Sequence, residues 1–249
     1  MSFSELFWTE YPRDVVQVDG PDALTYLQSQ LSQDLRPLQV GQSAWSFVLQ
    51  PTGKVDVLLR VWRISDDTFV LDTDEGFGEV LTARLNRFKI RVKADITPLD
   101  WTCIALRGNG AAQSDGLASW GDGIDLLGPD VQPPAGVEHG GSERLLSARV
   151  GAVWPQMGAE IVPGETIPAE TGITGVAVSF TKGCYPGQEL VERMDSRGAS
   201  APKLLQLVTV AEGAVAGEAY LLDGAPVGAL TSVSGTVALA YVKRSALQP

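Results

Sequence analysis

The chain of 249 residues is 44% hydrophobic and 20% charged, which is typical of a globular protein built from one large domain or a few small ones. Its formal net charge of −11 argues against direct binding to nucleic-acid phosphates. Two cysteines and one histidine argue against a disulfide framework, a metal site or a histidine-based triad. No apolar run approaches the length of a membrane span, and residues 1–12 lack a signal pattern. We therefore expect a cytoplasmic protein with no membrane partner.

The first half of the chain mixes predicted strands and helices, which indicates an α+β fold. A helix opens at Pro21 and Asp22, and a second covers residues 77–88, because their leucines recur at helical spacing. Residues 90–96 alternate apolar and polar side chains, which predicts a half-buried strand. The remaining predicted strands cover residues 15–18, 44–49, 55–64, 68–72, 101–107 and 124–127, with a hairpin turn at residues 51–54.

The rest of the chain divides into a loop-rich segment and a β-rich tail. Residues 111–141 are rich in Gly, Asp and Pro and are interpreted as variable surface. From Lys203 onward the pattern is strand and turn with no convincing helix. We expect an α+β region over residues 1–200, with a weak internal divide near residues 45–110, and a small β-domain over residues 201–249.

A cluster of five basic residues lies at the end of the second predicted helix and beyond it. We interpret it as a solvated helix face that runs into the alternating strand, with an anchor for an anionic ligand tail as the alternative. The cluster consists of Arg84, Arg87, Lys89, Arg91 and Lys93.

Residues 182–189 (KGCYPGQE), here named the cysteine motif, are the most informative stretch for function. Pro186 is suited to the first position of a helix, which we predict to run to about Met194 and to end near Gly198. Cys184 would then lie just ahead of a helix N-terminus, with Lys182 two residues away. Both the positive helix end and the ammonium would favour the thiolate form.

Most free cysteines are small buried side chains, and Cys103, within the apolar run 101–106, is expected to be one. For Cys184 a functional and a structural role both stay open. The glycines around it favour an exposed turn over a core strand.

The cysteine motif closely resembles the signature of the YgfZ family, folate-binding relatives of the T-protein (aminomethyltransferase) of the glycine cleavage system. The resemblance covers nearly the whole chain and is weakest over residues 108–141. Further similar segments are residues 18–28 with Asp34, 49–54, 167–170, 197–198 and 228–232.

The resemblance implies a ring-like multidomain fold whose central cavity holds tetrahydrofolate or a related reduced folate. Residues 1–200 would then be the folate-binding region, made of two interleaved subdomains, and residues 201–249 a C-terminal β-barrel. T-proteins hold the pterin with a glutamate in a Pro-x-Glu context, which residues 168–170 match, so Glu170 is the expected pterin contact. One carboxylate can accept hydrogen bonds from the pterin amino group and from the ring N–H at the same time. Arg193 would either face folate or form a surface pair with Glu189, four residues earlier.

Asp56 marks a departure from the T-protein pattern. Transferring T-proteins carry two adjacent aspartates after the equivalent glycine pair, and one of them is catalytic, whereas Asp56 is followed by Val57. Neighbours in a strand point to opposite faces. The presence of valine in place of the second aspartate therefore either removes the catalytic group or leaves it intact. This departure places aminomethyl transfer in doubt.

The resemblance implies an accessory factor for assembly or repair of iron–sulfur clusters in client enzymes, including tRNA-modifying ones. Cys184 would be the working thiol, activated by Lys182 and surrounded by the rest of the motif. Two alternatives are a folate-dependent aminomethyl or one-carbon transferase that uses Asp56, and a folate-binding interaction module in which Cys184 is structural. The surrounding motif residues are Gly183, Tyr185, Gly187, Gln188 and Glu189.

Overall fold

The computed structural model describes residues 5–111, 116–196 and 201–247, which fold as α+β with a majority of strands. No helix in these ranges is long and apolar enough to cross a membrane. The strands are β1 (Phe7–Glu10), β2 (Arg13–Asp19), β3 (Ser43–Leu49), β4 (Val55–Arg63), β5 (Thr68–Asp74), β6 (Asp95–Leu99), β7 (Thr102–Arg107), β8 (Leu117–Ala118), β9 (Gly123–Gly128), β10 (Glu138–His139), β11 (Lys203–Thr209), β12 (Ala219–Leu222), β13 (Ala225–Ser234) and β14 (Val237–Lys243). The helices are α1 (Ala23–Gln30), α2 (Gly78–Phe88), α3 (Gly141–Gly151), α4 (Thr174–Ala177) and α5 (Gln188–Ser196), with short 3-10 helices at Pro168–Glu170 and Arg244–Ala246.

The strands form three sheets. The first has the order β3-β4-β5-β2-β6, the second β10-β1-β7-β9-β8, and the third β11-β14-β13-β12. All neighbouring strands are antiparallel except β1 and β10, which pair in parallel. The third sheet consists only of residues from the C-terminal part of the chain. A closed C-terminal barrel stays a prediction from the resemblance.

The first sheet is covered on both faces, which explains why five consecutive residues of β3 and of β4 are buried. On one face, Leu27 of α1 and Leu81 of α2 pack against the sheet. On the other face, Phe47 packs in a cluster with Trp120 and Trp154. A strand that is buried on both faces does not need to alternate buried and solvent-exposed side chains.

A buried ion network joins the first sheet to the second. The Arg60 guanidinium lies 2.9 Å from Asp72 and 2.7 Å from Asp125 of β9, and all three side chains are 0% exposed. Arg13 lies 2.8 Å from the other oxygen of Asp72. Removing one partner of such a network typically costs about 3–5 kcal/mol, because an unpaired charge stays buried. The strands were predicted from the sequence, but this network was not.

The third sheet is tied to α3 by a second buried network. Arg149 of α3 donates to Glu160 at 2.7 Å and to Ser232 of β13 at 2.6 Å. Ser232 donates to the other Glu160 oxygen at 2.6 Å, and the Tyr241 hydroxyl donates to the Glu160 carbonyl at 2.9 Å. Helix α3 itself was not predicted from the sequence.

Most predicted elements are confirmed within one or two residues, but the strand predicted over residues 90–96 is wrong. Strand β6 begins only at Asp95. The preceding segment bends away because Asp22 accepts a hydrogen bond from the Lys93 amide at 2.8 Å, and Arg91 has a left-handed φ of 59°. Gly198, the predicted end of the last helix, lies outside the described residues.

Candidate functional site

The cysteine motif forms the second half of the loop between α4 and α5 and the first two residues of α5, and it is anchored by Lys182. This side chain is buried, and its ammonium donates to the carbonyls of Gln28 at 2.7 Å, Gln33 at 3.1 Å, and Leu31. These carbonyls belong to the C-terminal end of α1 and the turn after it, where helix carbonyls lack partners. Burial lowers the pKa of Lys182 to about 8. The ammonium that we expected to activate Cys184 thus holds the motif on α1.

Cys184 is exposed, whereas Cys103 is buried in β7. Burial raises the pKa of the Cys103 thiol well above its ordinary value. Next to Cys184, the Tyr185 ring is only 7% exposed and packs in the core beneath the motif, with the Lys182 ammonium 5.1 Å from its centre. The loop therefore exposes its thiol while Lys182 and Tyr185, which flank it in the motif, are buried.

Helix α5 begins at Gln188 and not at Pro186 as predicted. Gly187 has a φ of +81°, a conformation that cannot continue into a right-handed helix. The Gln188 side chain instead accepts a hydrogen bond from the Tyr185 amide at 3.3 Å and closes the turn. Cys184 lies four residues before α5, so the expected position next to a helix N-terminus is corrected.

Gly187 packs against the β3–β4 hairpin. A Cβ at Gly187 would lie 2.5 Å from the Gln50 carbonyl oxygen and 2.9 Å from the Cα of Gly53. A Cβ at Gly53 would meet Leu190 Cδ2 at 2.9 Å and the Gly187 carbonyl oxygen at 3.1 Å. Glycine is required on both sides, because any side chain would separate the cysteine motif from the hairpin.

Asp56 lies in β4, just after this hairpin, and both of its oxygens are engaged. Gln50 donates to one oxygen at 2.8 Å, and Arg84 of α2 donates to the other at 3.3 Å. Arg84 is 8% exposed, so it does not belong to a solvated helix face as predicted. One of its terminal nitrogens is buried with no hydrogen-bond partner, and burial lowers the pKa of Arg84.

A β-bulge places Asp56 and Val57 on the same face of the first sheet. Val48 pairs with Val57 and Leu49 with Val55, so Asp56 is the extra residue on β4. Val57 packs in the cluster that contains Leu81 and Leu85 of α2, and Asp56 bonds Arg84 of the same helix. The expectation that neighbouring residues 56 and 57 point to opposite faces is therefore wrong.

Glu170 ends the 3-10 helix Pro168–Glu170 and is 5% exposed. Burial raises the pKa of its carboxyl, and the Lys203 ammonium, 3.8 Å away, opposes that rise. Lys203 also lies over the ring of Tyr241, 4.4 Å from its centre. The carboxylate thus lies where α5, the 3-10 helix and the third sheet meet.

A cleft of about 240 Å³ opens beside the 3-10 helix that ends at Glu170, and neither Glu170 nor Asp56 is among the residues that line it. Its walls are mostly apolar, and one carboxylate and one guanidinium, Asp195 and Arg244, also line it. Arg193 does not line this cleft; it forms a half-exposed pair with Glu189 at 2.7 Å. The other lining residues are Ile167, Pro168, Ala169, Thr174, Phe180, Leu190, Val191, Met194, Ala201 and Leu204.

The structure brings some of the predicted site residues close together. The cysteine motif touches the hairpin that precedes Asp56, and α5 packs against the helix that ends at Glu170. No sequence pattern indicated the roles of Lys203 and Arg244. Arg84 was predicted to lie in a solvated cluster, although its position among the helix leucines was compatible with burial. In the described ranges, no group of three or more His, Cys, Asp or Glu side chains could hold a metal ion.

Comparison with solved structures shows the fold. The aminomethyltransferase T of the glycine cleavage system from Bartonella henselae superimposes with a TM-score of 0.78 over 98% of this chain and 80% of that protein, at 20% sequence identity. The chain therefore has the fold of the T-protein.

Comparison with curated proteins points to one group of T-protein relatives, although no family model matches the chain. The tRNA-modifying protein YgfZ of Edwardsiella ictaluri is 29% identical over 79% of this chain and 69% of that protein. The human mitochondrial iron–sulfur cluster assembly factor IBA57 is 24% identical over 92% of this chain and 75% of that protein. Its Neurospora crassa homologue is 24% identical, and the match spans 53% of that protein. These relatives and the T-protein fold show that the chain is similar to the YgfZ and IBA57 proteins and related in fold to the T-protein, in agreement with the resemblance of the cysteine motif.

Proposed function

We propose that this chain is an accessory protein that supports assembly or repair of iron–sulfur clusters in client enzymes, including tRNA-modifying enzymes. Relatives across bacteria and mitochondria carry the names of an iron–sulfur cluster assembly factor and a tRNA-modifying protein. The observation that carries the proposal is an exposed Cys184 on a loop that is anchored on both sides. Lys182 fixes one side on α1, and Gly187 fixes the other on the hairpin.

Such a loop suits a thiol that reacts with a partner molecule. The sulfur is accessible, and the backbone that carries it is held by buried contacts, so its position is reproducible. Cys103 is buried and cannot substitute for it. Cys184 is thus the working thiol of the proposal, and Lys182 is assigned to positioning.

A reduced folate is the proposed cofactor. The cleft beside the 3-10 helix Pro168–Glu170 has the chemistry that a folate requires, because its apolar walls suit flat rings, the Asp195 carboxylate suits N–H donors and the Arg244 guanidinium suits an anionic tail. Glu170 is the first candidate for the pterin contact, and Asp56 and Arg193 are further candidates. When bound, a reduced folate supplies a carrier for one-carbon units.

Rescue of iron–sulfur enzymes tests the role of Cys184. In cells that lack their own YgfZ protein, the wild-type chain is expected to restore the activity of iron–sulfur enzymes, and Cys184→Ala is expected not to. Cys103→Ala is the matched control and should restore activity. Full rescue by Cys184→Ala would favour the alternative in which the protein is a folate-binding interaction module with a structural cysteine.

The second candidate function is a folate-dependent aminomethyl or one-carbon transferase that uses Asp56. Gln50 and Arg84 occupy both Asp56 oxygens, and Val57, the neighbour on the same face, carries no acid. A carboxylate held in this way is poorly suited to handle a substrate amine. The purified protein should show at most vestigial turnover with aminomethyl donors. Robust turnover that Asp56→Asn abolishes would reverse the order of the two functions.

A further inference from the structure

A second concave region lies around Trp101. This indole follows β6 and precedes β7, so it lies at the seam between the first and second sheets. It packs edge-on against Trp62, with ring centres 6.4 Å apart. Trp101 lines one cavity of about 560 Å³ and another of about 540 Å³. We name the two cavities together the Trp101 groove.

The walls of the Trp101 groove are apolar and aromatic. On one side, Val15 and Leu99 line the cavity under α2. On the other side, Trp8, Tyr11 and Pro133 line the cavity along β1 and β7. Indole faces attract cations, and the attraction grows when water is excluded. Tyr11 itself is buried, and Arg13 lies over its ring at 4.9 Å.

The charge of the groove is negative. Its carboxylates are those of Asp14, Glu79 and Asp100 in one cavity and Glu10 and Glu75 in the other. Arg13 is the one basic residue that lines both cavities, and its guanidinium is bonded to Asp72 and Asp74 inside the protein.

Several of these carboxylates have no cation of their own. Within the described residues, no ion pair engages Glu75, Glu79 or Asp100, and all three are exposed. Glu10 pairs with His139 at the rim, 2.8 Å away. The groove therefore offers uncompensated negative charge beside indole faces.

We propose that the Trp101 groove binds an extended basic segment of a partner protein, with Arg or Lys side chains on either side of Trp101. The two adjoining cavities share the Trp101 indole, so they suit a peptide that is long enough to pass over this indole from one cavity to the other. A single small amine would fill only one cavity. The carboxylates repel nucleic-acid phosphates and anionic lipid headgroups, so a basic polypeptide is the complementary polymer. This proposal is independent of folate and of Cys184.

Calorimetry with a defined probe tests the proposal. A blocked peptide of eight alternating arginine and serine residues should bind the whole chain at low salt, and a matched glutamate–serine peptide should not. The double variant Glu79→Gln/Asp100→Gln should weaken binding by roughly fivefold, since exposed charges each contribute modestly. The control variant Glu165→Gln/Glu212→Gln removes two exposed carboxylates outside the groove and should change binding by less than about twofold.

A second measurement locates the peptide. In indole ¹H–¹⁵N spectra, the signals of Trp8 and Trp101 should shift on titration, with assignments from single Trp→Phe variants. Equal weakening in the two double variants would show that only the net charge of −11 attracts the peptide, and it would overturn the proposal. Absence of binding to the wild-type chain, or unchanged Trp8 and Trp101 signals, would overturn it as well.

Discussion

Gly53 and Gly187 face each other where the β3–β4 hairpin meets the cysteine motif, and a Cβ on Gly187 would lie 2.9 Å from the Cα of Gly53. Both residues have left-handed φ angles, of 84° and 81°. The two segments are more than a hundred residues apart in the chain. Their contact fixes the loop that carries Cys184 against the strand that carries Asp56.

Replacing Gly187 with alanine is expected to destabilise the protein by about 2–4 kcal/mol. The new Cβ would meet the Gln50 carbonyl at 2.5 Å, and the left-handed backbone penalises any side chain. Denaturant unfolding measures the change. Gly183→Ala in the same motif is the matched control and should stay within about 0.5 kcal/mol, because no atom lies within 4 Å of its Cβ position. Equal losses for the two variants would contradict the packing argument.

Replacing Lys182 with methionine should lower the free energy of unfolding by about 1–3 kcal/mol, because three carbonyls near the end of α1 lose their side-chain donor. Lys54→Met is a suitable control, since no hydrogen bond or ion pair of the Lys54 side chain is present among the described residues. Unfolding of both variants by denaturant at neutral pH gives the comparison. A Lys182→Met protein as stable as the control would mean that the ammonium does not anchor the motif.

The difference in unfolding free energy between the wild type and Lys182→Met should grow with pH. Burial lowers the pKa of Lys182 to about 8 in the folded protein, so above this value the unfolded chain binds more protons than the folded one. Stability from this group therefore rises between pH 8 and the ordinary lysine pKa of about 10.4. Denaturant unfolding of both proteins at several pH values between 7 and 10 tests the sign, and a difference that shrinks with pH would refute it.

Cys184 should alkylate with iodoacetamide in the folded protein, while Cys103 stays unmodified. Cys184 is exposed, whereas Cys103 is buried and burial raises the pKa of its thiol. Mass spectrometry of tryptic peptides measures each site, and denatured protein, in which both should react, is the control. Comparable modification of both cysteines under native conditions would show that the region around β7 opens readily.

Glu170→Gln should weaken binding of 5-formyltetrahydrofolate by about 1.5–3 kcal/mol, the contribution of a hydrogen bond to a charged group. Calorimetry compares the variant with the wild type and with Glu165→Gln, an exposed carboxylate five residues earlier that should have no effect. Unchanged affinity in Glu170→Gln would exclude the pterin contact. Absence of binding to the wild type would remove the folate part of the proposed function.

The sequence alone determined the elements whose residues interact locally. The leucines of α2 recur at helical spacing, so Leu81 and Leu85 were predicted to share a face, and both are buried. Turn residues at 51–54 predicted the hairpin between β3 and β4. The resemblance at residues 182–189 indicated the family before any fold was known. These signals depend on residues only a few positions apart, which the sequence displays directly.

The tertiary structure alone decided which distant groups meet. Asp22 bends the chain at Lys93 and displaces a predicted strand, and the bulge turns Asp56 toward α2. Lys182 meets the end of α1 across 151 positions of sequence at Leu31. No local pattern marks such partners, because a buried charge selects its partner by proximity in the folded protein and not by spacing along the chain. For this reason Lys182 was predicted as an activator of Cys184 and is found as an anchor of its loop.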